Sequence, residues 1–217
     1  YAAVTELADQ NNDHEEACRT LGWSRSKLDA RILLSKCCDD VAEALVQGDI
    51  KLGHAELLAP MIHDDQRLIC ARIVERKMTV AATRERLIQL SGVIANAPFD
   101  TTACQGCEHN SSQFGDLFGT SLGEAKCQNR TCWEEKTSSL IKVKLIEAEQ
   151  EYGIVHTDLT LPDNGYVLLE DKGPNGVGIN QFTACTACKS YGAVVSTKPG
   201  NEGHIIGGHC FNTSCHN

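Results

Sequence analysis

Eight of the twelve cysteines repeat one spacing: Cys104-x2-Cys107-x19-Cys127-x4-Cys132, then Cys185-x2-Cys188-x21-Cys210-x4-Cys215. Two close pairs of thiols about twenty residues apart are what a tetrahedral site of four thiolates needs, since each pair presents both sulfurs from one tight turn. The expected chemistry is therefore structural: two Zn2+ ions, each closed by four sulfurs, with no position left open for water or substrate. No paired carboxylates and no Ser/His/Asp arrangement accompany these sets, so the chain does not read as an enzyme.

The copies agree beyond the sulfurs. Thr102-Ala103-Cys104-Gln105-Gly106-Cys107 parallels Thr183-Ala184-Cys185-Thr186-Ala187-Cys188, and Cys127-Gln128-Asn129-Arg130-Thr131-Cys132 parallels Cys210-Phe211-Asn212-Thr213-Ser214-Cys215. A duplicated small module is implied. An even cysteine count and the triplets at Asn110, Asn129 and Asn212 also fit a secreted disulfide framework. The long cysteine-poor half and the lack of a visible signal peptide favour zinc. Cys18, Cys37, Cys38 and Cys70 have no ligand spacing and read as buried thiols of a reducing cytoplasm. His109 and His216 adjoin ligand cysteines and are expected to stay outside the four-sulfur shells.

A second chemistry lies between Arg19 and Lys36. This stretch holds Arg19, Arg25, Lys27, Arg31 and Lys36 against one acid, Asp29, although the whole chain carries a net charge of −9. Glu15 to Leu28 has helix-turn-helix anatomy: small Cys18 where two helices must approach, Gly22 for a turn needing positive φ, and Ser24 to cap the second helix. Such proteins set the start of the second helix in the major groove. Ser24, Arg25, Ser26, Lys27 and Arg31 are the candidate DNA-contacting residues, reaching phosphates or guanine edges. From these residues alone, a DNA reader and a plain helical hairpin are both open. His54 reads as a packing residue, with a phosphate contact as the alternative.

The elements that must carry these residues follow from periodicity. Residues 1–96 read as short helices: Ser24 to Leu34, from Asp39 or Asp40, from Leu52 or Gly53 to Leu58, Asp64 to Arg76, and Val80 to Leu90 after Thr79. Residues 97–137 form the first cysteine module. Residues 138–178 hold a helix, Ser138 to Tyr152, and strand-like runs Ile154–Leu159 and Tyr166–Glu170; the glycine-rich loop Lys172 to Gly178 reads as a turn. Residues 179–217 form the second module. The fold class expected is a mainly α helix-turn-helix domain followed by an α+β region with two zinc-stapled modules. Aromatic residues make up only 5%, so metal staples would supply stability that small aliphatic cores cannot. No apolar run is long enough to span a bilayer.

Leu21-Gly22-Trp23-Ser24-Arg25-Ser26-Lys27-Leu28, Val41-Ala42-Glu43-Ala44-Leu45 and the run from Gly48 to Leu58 resemble the central DNA-binding domain of ParB partition proteins, as does Arg72 to Val80. Cys104 to Ser111 and Gly173 to Gly178 are similar to the ParB-like proteins of the PRTRC gene cluster of bacterial plasmids and mobile elements. The resemblance implies a cytoplasmic, plasmid- or nucleoid-associated protein that binds double-stranded DNA through the helix from Ser24. It also implies protein partners of a plasmid-maintenance system and a homodimer, with no membrane association. It implies as well an N-terminal nucleotide-binding domain with an arginine-rich box, which nothing in this sequence matches, and Arg31 stands where the family has an apolar residue. The zinc modules are not inherited from ordinary partition proteins. With 8 basic residues against 14 acidic ones from residue 99 onward, an acidic interaction scaffold is the competing reading, since such modules repel phosphate.

Overall fold

Gly22 sits at φ +63°, a region open to glycine at little cost, and this turns the chain from one helix into the next. In the computed structural model, residues 14–113, 124–173 and 176–215 are described, and the chain divides into a unit at 1–133 and a unit at 134–217. The first unit begins with α1 (His14–Leu21), α2 (Arg25–Leu34), α3 (Asp39–Gln47), α4 (Leu52–Leu58), α5 (His63–Arg76) and α6 (Val80–Leu90). Ser24 caps α2 by accepting the Lys27 N–H at 3.3 Å, and Thr79 caps α6 by accepting the Ala82 N–H at 3.2 Å; each such cap stabilises its helix by about 1 kcal/mol.

The helices enclose an aliphatic core with Leu34, Val41, Ile50, Leu58, Ile73 and Leu87 at its centre, while Leu28 of α2 is fully buried. Cys38 and Cys70 belong to that core and Cys37 packs against it. The residue buried where α1 meets α2 is Ala17, not Cys18, which stays partly exposed; the close approach falls one position earlier than the spacing suggested. Fully buried Gln66 binds the core's backbone. Its Oε1 accepts the Cys38 N–H at 2.7 Å, and its Nε2 donates to Lys36 O at 3.0 Å, Met61 O at 2.9 Å and Ala59 O at 3.4 Å.

After α6, strand β1 (Gly92–Val93) pairs antiparallel with β2 (Lys126–Cys127), Gly92 opposite Cys127. Helix α7 (Arg130–Glu151) then starts eight residues before the expected Ser138. Asn129 is the reason: its Oδ1 accepts the Cys132 N–H at 2.9 Å, the geometry of an asparagine N-cap. The division between the units falls within this helix.

The second unit continues with β3 (Ile154–Thr157), β4 (Val167–Leu168), α8 (Ile179–Thr186), β5 (Tyr191–Val195) and β6 (Ile205–Cys210). The strands form one sheet in the order β3-β5-β6-β4, in which β3 and β5 run parallel and the other pairs antiparallel. The second cysteine set thus shares a sheet with the region expected to connect the modules. Ala193, Val194 and Val195 of β5 are buried, as a central strand requires. Among the described residues no helix is long and apolar enough to cross a membrane.

Candidate functional site

The residues singled out near α2 do not form one uninterrupted basic face. Arg25 is at the first helical position with its side chain 58% exposed, and its Nε donates to both carboxylate oxygens of Asp29 at 2.9 Å. His14 Nδ1 stands 3.6 Å from the same carboxylate. Lys27 lies over the Trp23 ring, 4.8 Å from its centroid, a cation–π contact that orients the ammonium. Ser24 uses its oxygen in the helix cap and keeps its O–H as a donor. Ser26 lies in the first turn of α2, and its side chain is outside the described residues.

Arg31 and Lys36 are instead paired with acids of other segments. Arg31 is three-quarters buried and reaches Glu56 of α4 at 4.0 Å. Burial raises the Glu56 carboxyl above its ordinary range, and Arg31 pulls it partly back. This explains how an arginine is accommodated where an apolar residue is usual, and it separates Arg31 from Arg25 and Lys27. Lys36 Nζ binds Glu108 Oε2 at 2.8 Å, and this partner holds the Glu108 carboxyl low. Beside it, His109 Nδ1 lies 2.6 Å from Pro60 O. The first cysteine module is thereby attached to the helical core through Glu108 and His109, residues adjacent to Cys107. His54 is buried at 3% exposure, with Nδ1 accepting the Lys51 N–H at 2.9 Å. It is a packing residue.

The two cysteine sets share a backbone layout that their lengths and neighbours would not require. The Cys107 N–H donates to Cys104 O at 3.4 Å, and the Cys188 N–H to Cys185 O at 3.0 Å. Three residues past the second cysteine, Asn110 and Tyr191 donate their N–H groups to Cys107 O and Cys188 O, both at 3.0 Å. Gln128 donates to His109 O, and Phe211 to Ser190 O, each at 2.9 Å and each at the same offset within its copy. Asn110 bridges antiparallel to Cys127, as Tyr191 pairs with Cys210. The third-cysteine sulfurs lie against the carbonyls of Asn129 and Asn212, at 3.4 and 3.8 Å. Each fourth cysteine sits in a helical turn beginning three residues after the third, at Arg130 and Thr213.

The cysteines are thiols rather than disulfides in this structure. In the first set, burial raises the Cys127 thiol, and Cys132, Cys104 and Cys107 are all near enough to raise it further. The His109 backbone N–H points to Cys107 Sγ at 3.5 Å. In the second set Cys185 and Cys210 share a small buried cluster with Leu169, while Cys188 and Cys215 are exposed. Among the described residues, no group of three or more His, Cys, Asp or Glu stands at metal-ligand geometry. His216 lies outside the described residues.

Sequence reading missed three contributors: Gln66, Asn129 as a cap and Asp29 as the partner of Arg25. Two of them carried a local signal: Asn129 stands one residue before the helix start as an N-cap does, and Asp29 lies four residues after Arg25. Residues 2–91 match the family model described as the ParB HTH domain. No curated protein and no solved structure matches the chain. The matched span includes α1 to α6, and this helical part of the chain is similar to a ParB-type helix-turn-helix domain.

Proposed function

We propose that the chain binds duplex DNA through α2, with Arg25 and Lys27 reaching into or beside the major groove and Ser24 donating to a phosphate. The observation that supports this most directly is the ParB HTH match over residues 2–91, joined to a capped α2 whose exposed cations stand in its first turn. Arg31 supports α2 from behind instead of contacting DNA. The motifs around Cys104 and Gly173 extend the reading to a PRTRC-type partition protein of a bacterial plasmid or mobile element, without catalytic activity in this chain. Fluorescence anisotropy with a labelled mixed-sequence duplex tests it. Binding weakens steeply with salt, and Arg25→Ala lowers the slope of log K against log salt by about 1 if the contact is to phosphate. A chain that binds no duplex at low salt overturns the reading.

Each cysteine set, on this proposal, holds one structural zinc. The support is the matched backbone frame of the two copies and the nearness of Cys104, Cys107 and Cys132 to Cys127. Four thiolates brought together would repel one another, and a zinc ion held by the four sulfurs of a set would relieve that repulsion. Metal analysis of the purified chain is expected to give about two zinc ions, and Cys104→Ser about one. A content near zero in the wild type sinks this part without touching the DNA reading.

A further inference from the structure

The Arg25–Asp29 pair has the wrong polarity to be there for the helix. Arg25 occupies the first position of α2, at the positive end of the helix dipole, and its acid lies four residues toward the negative end. The favourable order for an i,i+4 pair is the reverse. An exposed pair of this kind contributes little to stability in any case. Yet the contact is specific: a single donor, Nε, is bound by both oxygens of Asp29. Asp29 itself is only 28% exposed, and its close charged partner on α2 is Arg25, with His14 of α1 nearby at 3.6 Å.

We infer that Asp29 is a positioning residue that holds Arg25 for end-on recognition of a guanine. With Nε engaged, the two terminal NH2 groups of Arg25 take no partner among the described residues and project from a side chain that is mostly exposed. Two parallel N–H donors match the O6 and N7 acceptors of guanine in the major groove. A loose arginine loses rotamer freedom when it binds; one already fixed by a carboxylate loses less, and the gain applies only where the base offers both acceptors. Asp29 also brings a negative charge towards the phosphates, which lowers attraction to DNA of any sequence. The residue thus trades general affinity for discrimination. This inference rests on the DNA-binding reading given above.

Selection of bound sites from a random duplex library, followed by affinity measurements at fixed salt, tests it on the full chain. Wild type is expected to select a site containing a G·C pair that Arg25→Ala no longer selects. Asp29→Ala should lower the preference at that one pair roughly tenfold, within the range for a lost bidentate contact. Its affinity for random duplex should be equal or higher. A purely structural role for Asp29 would instead lower specific and random binding together, along with the melting temperature. Undiminished guanine preference in Asp29→Ala, or parallel loss of both kinds of binding, overturns the inference and leaves DNA binding standing. So does a wild type that binds duplex without base preference. Absence of all duplex binding overturns both.

Discussion

If zinc closes the two cysteine sets, chelation should change which thiols react, and the structure sets the order. The thiolate is the reactive form. Cys37 is pushed up from 9.0 to about 12, by burial first and then by its neighbours Cys38 and Cys70. At pH 8 that shift lowers its thiolate population about a thousandfold relative to an ordinary cysteine. Cys70 is also raised, by burial first and then by Cys38, Asp40 and Asp49, and Cys38 and Cys70 are buried in the helical core. All three should be silent to an aromatic disulfide reagent while the core is folded. Were all eight module sulfurs bound to zinc, only Cys18 would remain, so about one thiol per chain should react quickly. Adding a strong chelator releases the ligands. Exposed Cys188 and Cys215 react first, and the rest follow as the modules open, to about nine thiols per chain. The last three appear only in denaturant. Stopped-flow absorbance with metal analysis of the same sample reads every stage. If about nine thiols react at one fast rate before any chelator is added, with no zinc in the sample, the four-thiolate argument is refuted. Early reaction of Cys37 would refute the burial argument separately.

Three further perturbations follow from the first unit. Gln66→Leu keeps the buried volume but strands the Cys38 N–H and the carbonyls of Lys36 and Met61; at about 1–3 kcal/mol for each stranded group, partly relieved by water, a loss of roughly 3 kcal/mol is expected in urea unfolding. A loss below about 1 kcal/mol would mean those groups find other partners. Gly92→Ala places a Cβ 2.7 Å from three carbons of the Trp133 ring; it should cost about 1–3 kcal/mol and loosen the β1–β2 pairing, seen as a shift in Trp fluorescence and faster amide exchange at Val93. His54 has its pKa lowered from 6.5, chiefly by burial, with the Met78 and Thr79 carbonyls partly opposing. The unfolded chain therefore binds the proton first as pH falls, so this contribution is present above about pH 6.5 and is lost below it. Thermal melts from pH 7.5 to 5 should show that decline in wild type and a shallower one in His54→Gln; equal slopes would remove His54 as the cause.

What could be read in the sequence was whatever depends on neighbours along the chain. The helices from Arg25 to Leu90 were legible because their caps, Ser24 and Thr79, and their apolar spacing are local, and Gly22 announced its positive φ. The duplicated cysteine frame was legible for the same reason. Strands β5 and β6 were not. Tyr191–Val195 and Ile205–Cys210 contain Gly192, Gly207 and Gly208, which weaken a strand pattern, and they become strands by pairing with each other and with β3 and β4. Such pairing is set by tertiary context more than by propensity.

The basic stretch was the most misleading local signal, because charge in sequence does not say which way a side chain faces. Five cations between Arg19 and Lys36 suggested one surface. The fold commits Arg31 to Glu56 and Lys36 to Glu108, both acids distant in sequence, and thereby uses two of the five to hold α2 against α4 and against the first cysteine module. That division bears on the role of the metal. Lys36 lies two residues beyond α2, and Glu108 and His109 follow Cys107 directly, so the four-sulfur set of the first unit is attached to the segment leaving α2. If zinc closes that set, its removal should reach DNA affinity through this attachment, whereas emptying the second set should not. Cys107→Ser and Cys188→Ser compared on the same duplex separate the two cases. Equal affinity in both variants would show that the attachment does not order α2.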